Sequence, residues 1–406
     1  MLDIDDRLDE LKELGLYRRT RMVSGPQGPR VVLDGRPVLV LCSGNSLGLA
    51  DHPRVREAAA DAAMRWGVGA GAARVSAGTM TLHRRLEERL ATFTGGSAAV
   101  LFGSGSLANL GTIPALARKG EVVFHDELAH ASIADGCRLA GADVFAYRHA
   151  DPDHLAWGLR QADGRGALIA TDGVFGLDGD VAPLEEIVEL AHRHDVRVLV
   201  DEALALGVLG PGGRGAVAEA GLEDEVDVIT GSLGKALGSY GGFASCDHVT
   251  ARYLVNSART LLHSTAPPPV AVAGAMAALE LLEEQPRRVE KLHANAETLR
   301  DELAREGFEV AGACTHVVPL LIGAAAPAAR IVDHALEQGV FTEAVLPPGV
   351  PDGAARLRLS AMASHSRSEM RDAAQVLARA ALRAGFRPGA GRPVAEAQVE
   401  SLPRAA

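Results

Sequence analysis

A single lysine, Lys235, stands in Thr230-Gly231-Ser232-Leu233-Gly234-Lys235-Ala236-Leu237-Gly238-Ser239-Tyr240-Gly241-Gly242-Phe243, among glycines and small or hydroxylated residues. The run Val226-Asp227-Val228-Ile229 ahead of it reads as a buried strand, which argues against a solvated surface amine. An amine in a partly desolvated pocket gives up its proton more readily, and a neutral amine forms a Schiff base with an aldehyde. The glycines allow a tight turn and the close approach of a flat cofactor. Pyridoxal phosphate on Lys235 satisfies these properties; a Gly-rich loop carrying a lysine by chance would share the composition.

A cofactor with a phosphate and a protonatable ring makes further demands. The phosphate suits backbone N–H groups at a helix N-terminus. Gly103-Ser104-Gly105-Ser106-Leu107-Ala108-Asn109 lies between a strand and a helix, although strand-Gly-helix turns are common. The ring nitrogen needs a carboxylate to hold its proton. Asp201 ends the apolar run Val196-Arg197-Val198-Leu199-Val200, at the C-terminal edge of a parallel strand, where ligands of such sheets bind. A strand-ending Asp also serves as a helix cap. His130, in Phe124-His125-Asp126-Glu127-Leu128-Ala129-His130-Ala131-Ser132, follows another strand and is the candidate to stack on the ring, although a lone histidine is more often a satisfied polar group.

Holding these residues together calls for a sheet. From about Asp51 helices alternate with short apolar runs, the pattern of a mostly parallel sheet with helices on both faces, an α/β fold. Seven candidate strands are Ala98 to Phe102, Glu121 to Phe124, Asp143 to Tyr147, Ala167 to Thr171, Val196 to Val200, Val226 to Thr230 and Gly242 to Ser245. Helices are expected at Leu82 to Phe93, Leu184 to His194, Val270 to Glu283 and Arg287 to Glu306, with a further one over Ile4 to Leu16. Asp34-Gly35 marks a hairpin turn between Val31 to Leu33 and Val38 to Leu41. The chain divides into an N-terminal helix and hairpin (1–50), a large domain (51–265), a smaller C-terminal α+β domain with its leading helix (266–386) and a disordered tail (387–406).

Composition narrows the partners. With 47% apolar residues in 406, the chain can bury a sizeable core, filled by Ala, Gly, Val and Leu because aromatics are only 4%. A net charge of −11 without a basic stripe argues against nucleic acid. Cys42, Cys137, Cys246 and Cys314 have no metal-ligand spacing and read as buried small residues in a reducing compartment. The acidic start is unlike a signal peptide and no apolar run spans a membrane, so a cytoplasmic protein is expected.

Many of these segments, in order, resemble the α-oxoamine synthases, fold-type I pyridoxal-phosphate enzymes. The resemblance rests on Leu47-Gly48-Leu49, Gly67-Val68-Gly69 with Arg74 and Gly78-Thr79 before His83, and His130-Ala131-Ser132. Asp178-Gly179-Asp180, Asp201-Glu202-Ala203, Gly207-Val208-Leu209-Gly210 and Ser232-Leu233-Gly234-Lys235 continue it. It implies Lys235 as the Schiff-base lysine and proton carrier, Asp201 on the ring nitrogen, His130 on one ring face and Ala203 beneath the other. Gly105 and Ser106 would bind the phosphate through their backbone, Ser104 and Ser232 are further cofactor-binding positions, and Ser264-Thr265 matches a pair whose threonine reaches the neighbouring subunit's phosphate. A homodimer with shared sites is thus implied. The family reaction joins an amino acid to an acyl thioester, on CoA or a carrier protein, usually with loss of CO2; Arg358 is the expected contact of the substrate carboxylate.

The sequence departs from that pattern at several polar positions. Leu204 replaces the usual histidine that bonds the ring hydroxyl, Ala129 an asparagine, Ser106 an aromatic residue and Gly176 a serine, while Leu346 stands where an arginine precedes Pro-Pro. A leucine cannot make an arginine's bidentate contact. An acyltransferase with a non-standard amino acid or amine follows; a pyridoxal-phosphate enzyme with altered chemistry (decarboxylation, elimination or retro-aldol cleavage) and a non-catalytic family subunit are the alternatives.

Overall fold

The computed structural model describes residues 3–14, 17–310 and 314–389. The chain opens with α1 (Ile4–Glu13), then β1 (Val23–Ser24), β2 (Arg30–Leu33) and β3 (Arg36–Val40). The β2–β3 hairpin turns at Asp34 and Gly35, both at positive φ, as the Asp-Gly signal implies. Helix α1 buries none of its residues and leaves Ile4 and Leu8 exposed; the end expected at Leu16 lies outside the described residues.

The middle of the chain runs α2 (Pro53–Trp66), α3 (Thr81–Thr94), β4 (Ala98–Phe102), α4 (Gly105–Leu116), β5 (Val122–Asp126), α5 (Ala131–Leu139), β6 (Asp143–Tyr147), α6 (Pro152–Ala162) and β7 (Gly166–Asp172). It continues through α7 (Leu184–His194), β8 (Arg197–Asp201), α8 (Ala216–Glu219), β9 (Val228–Ser232), β10 (Gly242–Cys246), α9 (His248–Ser257) and α10 (Arg259–Leu262). The seven strands form one sheet in the order β4-β10-β9-β8-β7-β5-β6. Only β10 runs antiparallel to its neighbours. Period-two alternation sends Leu101, Val198 and Val200 to one core and Val100, Phe102 and Leu199 to the other, so both faces are covered by helices. Several expected strands shift by a residue or two, and β9 begins at Val228 rather than Val226, where the Asp227 carboxylate instead accepts the Val198 N–H at 2.8 Å.

The remainder comprises α11 (Pro269–Glu284), α12 (Arg287–Arg305), β11 (Val317–Gly323), α13 (Ala325–Glu337), β12 (Val340–Phe341), β13 (Glu343–Val345), β14 (Ala355–Ser360) and α14 (Arg367–Arg383). Strands β11, β14 and β13 form an antiparallel sheet whose core takes in Leu299, Ile331 and Leu377 from α12, α13 and α14. The boundary expected at residue 265 is not a boundary in packing. Helix α11 buries Val272, Ala275, Leu279 and Leu282 in the core of the large sheet, and β12 pairs in parallel with β3, so hairpin and C-terminal part share a sheet. The tail expected from Arg387 lies outside the described residues beyond Gly389.

The cysteines correct another expectation. Cys137 and Cys246 are buried, and burial pushes both thiols up to about 12. Cys42 is half-buried and Cys314 exposed, because each sits in a connecting segment outside the strands and helices. No helix among the described residues is long and apolar enough to cross a membrane.

Candidate active site

The carboxyl ends of the parallel strands open into one cavity of about 440 Å³. It is lined by Ser104, Gly105, Ser106, His130, Asp201, Ala203, Ser232, Lys235 and Arg358, so nine of the ten residues named from the sequence meet there. The tenth, Thr265, lies elsewhere in its own chain. It forms an isolated bridge with Ala73, next to the Ala266 N–H that donates to the Ala72 carbonyl at 3.0 Å. His83 buttresses the same crossing, its Nε2 lying 2.8 Å from the Pro267 carbonyl oxygen.

Lys235 follows β9 by three residues, in a turn closed by the Gly238 N–H donating to the Lys235 carbonyl at 2.9 Å. Gly238 has φ +58° there, and a Cβ on it would stand 2.3 Å from the Ala50 nitrogen. The lysine side chain reaches into the cavity past Gly44, half-buried. Burial pulls its amine below the ordinary lysine range; the Asp201 and Asp172 carboxyls oppose that shift and Arg358 adds to it.

Asp201 ends β8, and both its oxygens are held. Oδ1 accepts the Ala203 N–H at 2.8 Å, and Oδ2 accepts from Asn109 Nδ2 at 2.6 Å. Asn109 comes from α4, where its Nδ2 also lies 2.9 Å from Ser132 Oγ and its Oδ1 accepts from Thr230 Oγ1 at 2.7 Å. Ser132 Oγ, already an acceptor from Asn109, donates to His130 Nδ1 at 2.7 Å, and the Ser132 N–H donates to the same nitrogen. With Nδ1 accepting twice, the network assigns the neutral Nε2–H tautomer. Burial by the surrounding protein lowers the His130 pKa and Lys235 adds to this, against the pull of Asp201. Glu202, between two cavity residues, turns away and accepts the Ala216 and Val217 N–H groups at 2.9 and 2.7 Å; burial raises it to about 7.

Three further groups at or near the site have no role assigned by the sequence motifs. Asn109 is one, although a buried asparagine inside an apolar helix requires partners. Asp172 ends β7 opposite Asp201 in the register and accepts the His130 N–H at 2.7 Å; burial, then the Asp201 carboxylate, pushes it well up. His316, just before β11, is buried with Nδ1 unpartnered, and burial, with Lys235 and Arg358, drives it down to about 3.

The segment after β7 supplies Gly176 and Leu177 to the cavity wall and is pinned from two sides. Arg356 pairs with Asp178, and Thr315 Oγ1 donates to the Gly179 carbonyl at 2.8 Å. On the other side His149 bridges Asp126 at 3.0 Å and Asp180 at 2.9 Å. Burial opposes charge on this imidazole, yet the two carboxylates outweigh it and hold the pKa up to about 10. The bridge therefore contributes fully below the ordinary histidine value near 6.5 and is lost as pH rises through about 10. His149→Ala is expected to cost about 2 kcal/mol at pH 6–7, with the melting difference shrinking towards pH 10. An equal difference at both pH values would count against the charged bridge.

The residues fit a phosphate-bearing pyridine aldehyde. A desolvated amine, a fixed buried carboxylate, a neutral imidazole and the N-terminus of α4 at Gly105 converge on one cavity. Ser104 caps that helix by accepting the Leu107 N–H at 3.1 Å.

The chain is similar to known proteins over most of its length. The sequence pattern of the aminotransferase class I and II family matches residues 36–377. The chain is 44% identical to the 8-amino-7-oxononanoate synthase of Citrifermentans bemidjiense, over 92% of this chain and 96% of that one. It is likewise 44% identical to that of Geobacter sulfurreducens, over 93% and 97%. Its structure resembles Sphingomonas wittichii serine palmitoyltransferase with a TM-score of 0.90 at 30% identity, over 95% of this chain and 99% of that one. The chain therefore belongs to the aminotransferase class I and II family and, within it, to the α-oxoamine synthases, pyridoxal-phosphate enzymes of fold type I.

Proposed function

We propose that the chain is a pyridoxal-phosphate-dependent acyltransferase that condenses an amino acid with an acyl thioester, carried on CoA or a carrier protein. The observation that carries this reading is the single cavity uniting Lys235, Asp201, His130 and Arg358. Bound pyridoxal 5'-phosphate would supply the electron sink that makes the amino acid's α-proton removable. Lys235 Nζ would hold the cofactor and, as a free amine, would carry that proton. Asp201 would keep the ring nitrogen protonated, and His130 and Ala203 would hold the ring between them. Gly105 and Ser106 would serve the phosphate, Ser104 and Ser232 would also contact the cofactor, and Arg358 would take the substrate carboxylate.

The same reading makes the protein a cytoplasmic homodimer. On this reading Thr265, which bridges Ala73 and does not line its own cavity, serves the partner's phosphate. Sedimentation of the cofactor-loaded protein should give a dimer. A monomer that retains the cofactor tightly would remove the role of Thr265.

Leu204 and Leu346 set this chain apart in substrate handling. Leu204 lines the cavity, and its Cδ1 lies 3.4 Å from where a Cβ on Gly176 would sit, so this part of the wall is apolar where the family histidine would bond the ring hydroxyl. Leu204→His should therefore shift the visible absorption of the loaded protein and its pH titration, read by spectrophotometry. Leu346 packs on the small-sheet core. That leaves Arg358 to hold the carboxylate. Loss of one charge-assisted contact of about 1.5–3 kcal/mol weakens binding roughly ten- to a hundredfold, so Arg358→Ala should weaken L-alanine binding by that factor. The activity itself is tested by thiol release from acyl-CoA in the presence of small α-amino acids. Absence of amino-acid-dependent release with both CoA and carrier-protein thioesters would remove the acyltransferase reading.

A further inference from the structure

Strand β14 carries Arg356 and Arg358 on one face, two residues apart, and each arginine meets an acid. Arg356 is taken by Asp178 in the clamp on the cavity wall. Arg358 faces Glu343, its direct partner in the antiparallel register of β13 and β14, with Nε 3.2 Å from Glu343 Oε1. The contact is close but badly aligned, and Arg358 Nε has no hydrogen-bond partner among the described residues. Glu343 thus balances the charge of Arg358 without making a directed bond to it. Its side chain is 46% exposed, against 28% for Arg358, so it can turn out to solvent while the arginine remains at the cavity.

The consequence falls on any substrate that brings its own carboxylate. Such a group must displace Glu343 from the guanidinium or bind with a second negative charge close by, and like charges at that spacing repel. A neutral alkyl group in the same place meets no such opposition. Leu346, on the segment after β13, brings no charge of its own to offset the acid. We infer that Glu343 is a specificity-determining residue: opposite Arg358 in the sheet, it holds down the site's affinity for α-amino acids relative to amines that lack the carboxylate.

This inference rests on the reading of Arg358 as the carboxylate contact, and the test separates the two. The cofactor-loaded protein is titrated with L-alanine and with ethylamine, its decarboxylated counterpart, following the visible spectrum. Wild type, Glu343→Gln, Glu343→Asp and Arg358→Ala are compared. Glu343→Gln should tighten L-alanine by about three- to tenfold, the size expected of a half-exposed charge, and leave ethylamine within about twofold. Glu343→Asp keeps the charge and should behave as wild type. The inference is overturned if Glu343→Gln leaves L-alanine unchanged, weakens it, or tightens both ligands alike while Arg358→Ala still weakens L-alanine; the carboxylate reading then stands without it. If Arg358→Ala leaves L-alanine unchanged, the carboxylate reading falls and takes the inference with it.

Discussion

Lys235→Ala is expected to give a folded protein that, after incubation with pyridoxal 5'-phosphate and desalting, lacks the visible Schiff-base band of the wild type. Turnover should fall by roughly 10³-fold or more, because one nitrogen both anchors the cofactor and moves the substrate proton. The fold should survive. The lysine side chain projects past Gly44 into a cavity rather than into a packed core, so its removal enlarges an existing space instead of opening a void in the core. It also removes an amine whose charged form is disfavoured by burial. Absorption spectra, activity and melting temperature decide the matter together. A variant that keeps the band and a tenth of the activity would mean that another amine holds the cofactor.

The sheet was legible in the sequence because a parallel strand buried on both faces is a short apolar run with a polar residue at its end, and several of these runs end at the cavity. Asp201 and Asp172 both announce themselves this way, yet only Asp201 was named, since the register that sets them side by side is not visible along the chain. Asn109, Ser132 and Thr230 lie on a helix, a helix start and a strand, and their hydrogen-bonded chain exists only in three dimensions. Glu343 shows the same limit. In the sequence it is one acidic residue in a short strand, and its meaning depends on the cross-strand pairing with Arg358. The helix Pro269–Glu284 was found within a residue of each end, but its place in the large core was not, because an Ala/Leu-rich helix does not state which sheet it will cover.

Asp201→Asn is expected to keep the visible band while kcat falls by roughly 10²- to 10³-fold, the reverse of the pattern for a residue that only binds the cofactor. Two effects act together. The substitution removes the negative charge that holds the proton on the ring nitrogen, and a ring without that proton accepts electrons less readily. It also upsets the hydrogen bonds around the position. Both oxygens of Asp201 accept, one from the Ala203 N–H and the other from Asn109 Nδ2. An amide in its place must turn its NH2 group towards one of those donors. If it faces Asn109, that side chain is pushed off Ser132, and the chain of hydrogen bonds that fixes the His130 tautomer is broken. The double variant D201N/N109D restores a donor–acceptor pair between positions 201 and 109 and keeps an acceptor for Thr230 Oγ1, though not the donor to Ser132, while moving the charge off position 201. Recovery of melting temperature without recovery of kcat is the expected result. A single variant with kcat within threefold of wild type would show that the charge of Asp201 is not what activates the ring.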